Sequence, residues 1–257
     1  MWASQLQTIN QSIIMKLNIC NTIDELLQNL AEYFIDSANQ SIAAQGHFTV
    51  ALSGGSSPEK FYSLLASNSY KNKVDWSKIF FFLGDERYVP ITGAQSNFKM
   101  VNKVLFQPLQ IKPSQIFPVD TALSPEDAAT DYMLQITKHF AGAAPRFDLV
   151  LLGLGDNSHT ASLFPHTSIL HEKAATVKPV FLSDQHVWRI SFTAPLINLA
   201  HRIAFLVYGD GKAQAVANIL QGAHDIKNFP AQLIQPADGE LKWFLDTAAA
   251  AKITGPV

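Results

Sequence analysis

Apolar residues recur at helical spacing from Ile23 through Leu26, Leu27, Leu30, Phe34, Ala38 and Ile42. That spacing predicts an amphipathic helix over residues 22–45 with one buried stripe. Its start is marked by Thr22-Ile23-Asp24-Glu25, a capping box in which the Thr22 hydroxyl and the Glu25 carboxylate satisfy orphan backbone N–H groups. Residues 1–15 mix polar and apolar positions and read as strand or tail. Phe48-Thr49-Val50-Ala51-Leu52 is short and β-rich, and it runs into Ser53-Gly54-Gly55-Ser56-Ser57. A helix follows, with Pro58 in its first turn and Phe61, Leu64 and Leu65 on one face. This grammar of strand, glycine turn and helix returns along the chain. Strands are predicted over Ile79–Leu83, Phe147–Leu152 and Ile203–Val207. They end in Gly84-Asp85-Glu86-Arg87, Gly153-Leu154-Gly155 and Gly209-Asp210-Gly211-Lys212, the last opening a helix over Ala213–Leu220. Ser124 is the expected N-cap of a further helix that precedes Phe147.

Apolar strands without strict alternation, separated by helices, predict a mostly parallel α/β sheet with helices on both faces. Thr176–Leu182 and Val187–Phe192 flank a turn at Ser183-Asp184-Gln185 and can pair as a small antiparallel hairpin at one side. The chain has no internal repeat and no Pro- or Gly-rich linker, so one domain over residues 1–257 is the expectation. In an open α/β sheet, ligands collect beyond the carboxyl ends of the strands. Four polar, glycine-bearing turns, at 53–58, 84–87, 153–159 and 209–212, are therefore expected to share one rim.

Each turn offers a chemistry beside an ordinary structural explanation. Ser53-Gly54-Gly55 ahead of a helix N-terminus suits an anion, although it matches neither a dinucleotide nor a Walker fingerprint and is equally an ordinary βα turn. In Gly84-Asp85-Glu86-Arg87, the Arg87 guanidinium suits phosphate; a rim salt bridge is the plain alternative. Side-chain alternation sends only one of Asp85 and Glu86 into the site. Of the eight histidines, His159 stands out because it follows a buried strand on a polar turn, where an imidazole with an ordinary pKa of ~6.5 serves as acid or base. Pairing His159 with His166 as metal ligands matches no familiar zinc spacing. Lys212 opens a helix against its dipole, which disfavours it unless an anion is near.

Composition narrows the partners. Nineteen basic and 21 acidic residues give a net charge of −2, which argues against bulk electrostatic binding of nucleic acid. Any bound anion is then met by a few placed cations. Cys20 is the single cysteine, so no intrachain disulfide forms and a reducing compartment fits. No apolar run reaches ~18 residues, so no membrane-spanning helix is expected. Residues 1–10 lack a secretory pattern, and the expected location is the cytoplasm.

Taken together, the segments resemble the 6-phosphogluconolactonase family. The resemblance rests on Val50-Ala51-Leu52-Ser53-Gly54-Gly55-Ser56-Ser57-Pro58, on Gly84-Asp85-Glu86-Arg87-Tyr88-Val89-Pro90 with Ser96-Asn97, and on Gly153-Leu154-Gly155 followed by His159-Thr160-Ala161-Ser162-Leu163-Phe164-Pro165. Arg189-Ile190-Ser191-Phe192-Thr193-Ala194-Pro195, Gly209-Asp210-Gly211-Lys212-Ala213, Pro230-Ala231-Gln232 and Trp243-Phe244-Leu245-Asp246 continue it in order. It implies a Rossmann-like open sheet shared with glucosamine-6-phosphate deaminase. It also implies hydrolysis of 6-phospho-D-glucono-1,5-lactone in the pentose phosphate pathway, with no metal and no cofactor. By motif position it makes His159 the catalytic base with Asp85 near it, gives the phosphate to Arg87 and Lys212, and lines the substrate pocket with Ser53, Gly54, Gly55 and Asn157.

The family pattern carries Asp-Gly before the histidine, where this chain has Asn157-Ser158. Asn157 can hydrogen-bond but cannot ionise, and Ser158 lacks the freedom of glycine at positive φ. An Asp85 carboxylate beside His159 would favour the imidazolium and raise its pKa. Two other functions stay open from the sequence: a sugar-phosphate isomerase or deaminase using Asp85 as base, and a non-catalytic phosphosugar-binding module. The sequence does not reveal the oligomeric state.

Overall fold

The computed structural model describes residues 15–255, so most of the segment read as strand or tail lies outside the described residues. The chain begins with β1 (Met15–Cys20), α1 (Ile23–Gln45), β2 (Phe48–Leu52), α2 (Ser56–Leu65), β3 (Ile79–Leu83) and β4 (Asp85–Arg87). Helical segments α3 (Asn97–Val101) and α4 (Gln107–Leu109) follow, joined by a π-helical turn, then α5 (Pro125–His139) and β5 (Leu149–Leu152). The second half contains β6 (Val177–Leu182), β7 (Val187–Phe192), α6 (Ala194–Asn198), β8 (Arg202–Val207), α7 (Ala213–Leu220) and β9 (Glu240–Asp246). A six-stranded sheet has the order β1-β9-β8-β5-β2-β3, and a three-stranded sheet has the order β4-β7-β6. All pairings in the larger sheet are parallel; those in the smaller one are antiparallel.

Both faces of the sheet are covered at β2, β3, β5 and β8, as their unbroken apolar runs predict. Side chains alternate accordingly. Phe48, Val50 and Leu52 join Ile79, Phe81 and Leu83 in a core with α1 and α2. Ala51, Phe82, Ile203, Phe205 and Val207 face the other way, into a second core with α5, α7 and the three-stranded sheet. Among the described residues no helix is long and apolar enough to cross a membrane.

Several boundaries differ from the sequence reading, each for a physical reason. The predicted strand from Phe147 begins only at Leu149. The Asp148 N–H donates to Thr49 O at 2.9 Å, while its carboxylate accepts from the Thr49 N–H at 2.7 Å; a side chain thus replaces one rung of the ladder. The Thr22 hydroxyl caps α1 by accepting from the Glu25 N–H at 3.1 Å. The Glu25 carboxylate reaches Asn21 N–H, one residue before the position a capping box uses. The edge-side strands β1 and β9 were not legible as strands. The hairpin forms as expected, but Asp85–Arg87, read as part of a turn, is a strand that pairs with β7 in register Asp85 to Ser191, Glu86 to Ile190 and Arg87 to Arg189.

Glu86 anchors that strand. It is 2% exposed. Its carboxylate accepts from the N–H groups of Arg87 at 2.7 Å, Asn97 at 2.7 Å and Phe98 at 2.8 Å, and from the Ser96 hydroxyl at 3.1 Å. It thereby caps α3 and ties the 88–96 loop to β4. Glu86→Ala leaves these buried donors without an acceptor, and bonds to a charged group contribute about 1.5–3 kcal/mol each. A loss of at least about 3 kcal/mol is expected, read as a lower urea midpoint at unchanged slope. A midpoint equal to the parent's contradicts the anchoring role.

Candidate functional site

The strand order reverses between β2 and β5: from β2 the chain moves outward to β3, and it later returns to place β5 on the other side of β2. The loops after β2 and β5 therefore part, and a cleft opens beyond the carboxyl ends. A cavity of about 400 Å³ lies there, within the size range of small-molecule sites. Its floor is the Ser53–Pro58 turn on one side and Gly153-Leu154-Gly155 on the other. The Tyr62 hydroxyl grips the end of β2: it accepts from Ser53 N–H at 3.0 Å and donates to Ser53 O at 2.9 Å. Gly55 then takes φ 113°, outside the range of ordinary side chains, to start α2. A side chain at Gly54 would overlap the Asn97 carboxamide, so the close approach of this turn to α3 requires glycine.

His159 is presented by a tight turn. Ser158 N–H donates to Gly155 O at 2.9 Å, and Gly155 N–H donates to His159 O at 2.8 Å. Ser158 sits in the left-handed region at φ 64°, so serine occupies the conformation that glycine would favour. The turn is thus closed without a glycine at 158. The His159 ring stacks on Phe164, with centroids 3.9 Å apart and planes 19° from parallel, and a side chain at Gly155 would overlap it. Asn157 Oδ1 meets His159 Nδ1. With Oδ1 as the acceptor, this contact matches the tautomer that carries its proton on Nδ1 and its lone pair on Nε2. Burial, then the Lys212 and Arg189 charges, pull the His159 pKa down to about 4, with Asp156 opposing them. This corrects the expectation of a raised pKa. The Asp85 carboxylate instead accepts from Ser162 Oγ at 2.6 Å and favours the charge on Arg189.

Three cations line the cavity: Arg87, Arg189 and Lys212. Arg87 and Arg189 are direct cross-strand partners, an arrangement that repels unless an anion intervenes. Arg87 Nη1 donates to Gln95 O at 2.8 Å. Arg189 is half-buried, and its Nε is buried with no hydrogen-bond partner among the described residues. Lys212 is paired with Asp156.

Ser53, Gly54, Gly55, Asp85, Arg87, His159 and Lys212 therefore meet in one cavity. Asn157 does not line it. Its side chain instead meets His159 Nδ1. The alternation argument holds: Asp85 faces the cavity and Glu86 is buried away from it. Arg189, Ser162 and Asn97 also line the cavity and were not singled out as site residues. Arg189 lies on a hairpin strand whose pairing with β4 is non-local, so only its presence in the Arg-Ile-Ser-Phe-Thr run pointed to it. Among the described residues no group of three or more His, Cys, Asp or Glu side chains is placed to hold a metal ion.

Residues 21–243 match the family model described as glucosamine-6-phosphate isomerases/6-phosphogluconolactonase. The chain belongs to this family. A 6-phosphogluconolactonase of Synechocystis sp. is 40% identical over 218 residues, covering 83% of this chain and 88% of the relative. Among solved structures, the 6-phosphogluconolactonase from Trypanosoma cruzi superposes with a TM-score of 0.84 at 27% identity, over 96% of this chain and 100% of that one. A monomeric glucosamine-6-phosphate deaminase, at 23% identity, shares the fold with a TM-score of 0.79, over 93% of this chain and 100% of that one.

Within the glucosamine-6-phosphate isomerase/6-phosphogluconolactonase family, the neutral Asn157 beside His159 has a measurable consequence. Nitrogen-15 NMR of the imidazole is expected to show Nδ1 protonated and a titration midpoint near pH 4, below the ordinary ~6.5. Asn157→Asp places a carboxylate at Nδ1, which favours the imidazolium, so the midpoint is expected to rise. A midpoint that stays put or falls in this variant contradicts the contact.

Proposed function

We propose that the protein hydrolyses 6-phospho-D-glucono-1,5-lactone to 6-phospho-D-gluconate, as a step of the pentose phosphate pathway in the cytoplasm. We take the whole chain to work as one α/β unit, without metal or cofactor. The observation that carries the reading is His159, with Nδ1 against Asn157 Oδ1, lining one cavity with three cations. The names of the relatives support it.

In this reading Arg87, Arg189 and Lys212 hold the phosphate dianion, which relieves the repulsion between the two guanidiniums. Neutral His159 accepts a proton at Nε2 as water attacks the lactone carbonyl. The carbonyl oxygen becomes an oxyanion, and the N–H groups of the glycine turns at the cleft are suited to receive it. Collapse of the intermediate breaks the bond to the ring oxygen, which takes the proton from the imidazolium. The product is a hydroxy acid: the ring oxygen has become a hydroxyl, and the new carboxylic acid gives its proton to solvent and leaves as a carboxylate. A pKa near 4 keeps the base free of protons at neutral pH, and no general acid is needed beyond the proton it has just collected. Burial disfavours the Arg189 charge, and Asp85, held by the Ser162 hydroxyl, partly offsets this with its own.

Initial rates on freshly made lactone, corrected for spontaneous opening, test the reading. His159→Gln is expected to lower kcat by about 10²–10⁴-fold while 6-phosphogluconate still binds. A folded His159→Gln protein with parental kcat overturns the assignment. Arg189→Ala removes bonds to a charged group and is expected to raise KM about 10- to 100-fold, with a smaller effect on kcat. An unchanged KM removes Arg189 from the phosphate site. Ammonia release from glucosamine 6-phosphate by the parent protein is expected to be absent; its presence favours the deaminase reading.

A further inference from the structure

Asp156 stands on the turn that presents His159, and its carboxylate is paired with Lys212. The two side chains differ in setting: Lys212 is 29% exposed and lines the cavity, whereas Asp156 is 79% exposed and lies outside the lining. Asp156 makes no other side-chain hydrogen bond among the described residues. It does not close the turn, which is held by backbone bonds from Gly155 and Ser158. An exposed ion pair of this kind adds little stability, so folding gives no strong reason for a carboxylate here. Its position does give one. It sets a negative charge on the ammonium that a bound phosphate would also claim.

We propose that Asp156 is an internal competitor of the phosphate at Lys212, holding the lysine in the empty site and returning to it as product leaves. The proposal rests on the reading of Lys212 as a phosphate ligand. A lysine ammonium has three donors and can touch both anions, but a carboxylate and a phosphate dianion sharing one ammonium repel each other. Phosphate therefore enters against a charge that is already present, and binding is weaker than three cations alone would give. The product needs this more than the substrate does, because hydrolysis leaves the phosphate and adds a carboxylate. A competing carboxylate on the protein weakens retention of that doubly anionic product.

Isothermal titration with inorganic phosphate and with 6-phosphogluconate tests this on the parent, Asp156→Asn, Lys212→Ala and the double variant. Asp156→Asn is expected to bind both ligands about three- to tenfold more tightly, and 6-phosphogluconate is expected to become a stronger product inhibitor by a similar factor. Lys212→Ala is expected to weaken both. In the Lys212→Ala background the Asp156→Asn gain is expected to shrink, because the cycle isolates the coupling through the lysine. Asp210→Asn on the same rim keeps the side-chain oxygen that accepts from Gly211 N–H at 2.9 Å and is expected to shift affinity less than twofold. If Lys212→Ala binds phosphate as the parent does, both the phosphate reading of Lys212 and the competition fail. If Lys212→Ala weakens binding but Asp156→Asn does not tighten it, the competition alone fails. An equal gain in the presence and absence of Lys212 also overturns it, by showing only a general field.

Discussion

A sheet whose strands all run one way, buried on both faces, cannot carry polar side chains on its surfaces, and this constraint decides where the chemistry sits. The central strands β2, β3, β5 and β8 are apolar almost throughout. Their ends are where the backbone meets water and where charge is tolerated. Parallel direction puts every carboxyl end on one edge, and the reversal of strand order between β2 and β5 parts the loops there. The amino edge shows the contrast. There the buried carboxylate of Asp148 is consumed in backbone pairing with Thr49, and it serves the sheet itself.

The smaller sheet completes what the larger one begins. A parallel sheet offers the cleft its turns and helix N-termini, which contribute backbone N–H groups. Two of the three cations come from the antiparallel sheet instead, because β4 leaves the end of β3 after one glycine and pairs with β7. The Glu86 carboxylate fixes this pairing against α3. Alternation along β4 then does the rest: with Glu86 turned into the protein, Asp85 and Arg87 both face the cavity.

Local signals made much of this legible. Helix α1, strands β2, β3 and β8, the hairpin and helix α7 follow from apolar spacing and turn residues within short windows. His159 was visible because a polar turn after a buried strand is a place for chemistry. Arg189 was not visible as a site residue, since its cavity position depends on a strand pairing about 100 residues away in sequence, which no local window contains. Asn157 was legible as a departure from the family pattern, but its direction was not. Only the backbone path through left-handed Ser158 turns the carboxamide back onto the ring. The sign of the His159 shift was misread for the same reason. The expectation set Asp85 beside the ring; in the structure Asp85 bonds to Ser162 instead, and burial with the Lys212 and Arg189 charges governs the imidazole.

The electrostatics of the cavity bear on how a base with so low a pKa can work. Burial, Lys212 and Arg189 oppose a charge on His159, and Asn157 offers it a dipole but no counter-charge. A base held near pH 4 is unprotonated at neutral pH but intrinsically weak. On the proposed reading, a phosphate dianion at the three cations cancels much of the field that disfavours the imidazolium. The histidine then becomes a stronger base only while substrate is present. The same cancellation stabilises the imidazolium that forms during attack, at the moment the oxyanion appears. A carboxylate at position 157 would supply such a charge permanently; with asparagine there, the counter-charge arrives with the substrate. On that reading the cations act twice, by holding the phosphate and by making the strength of the base depend on its being held.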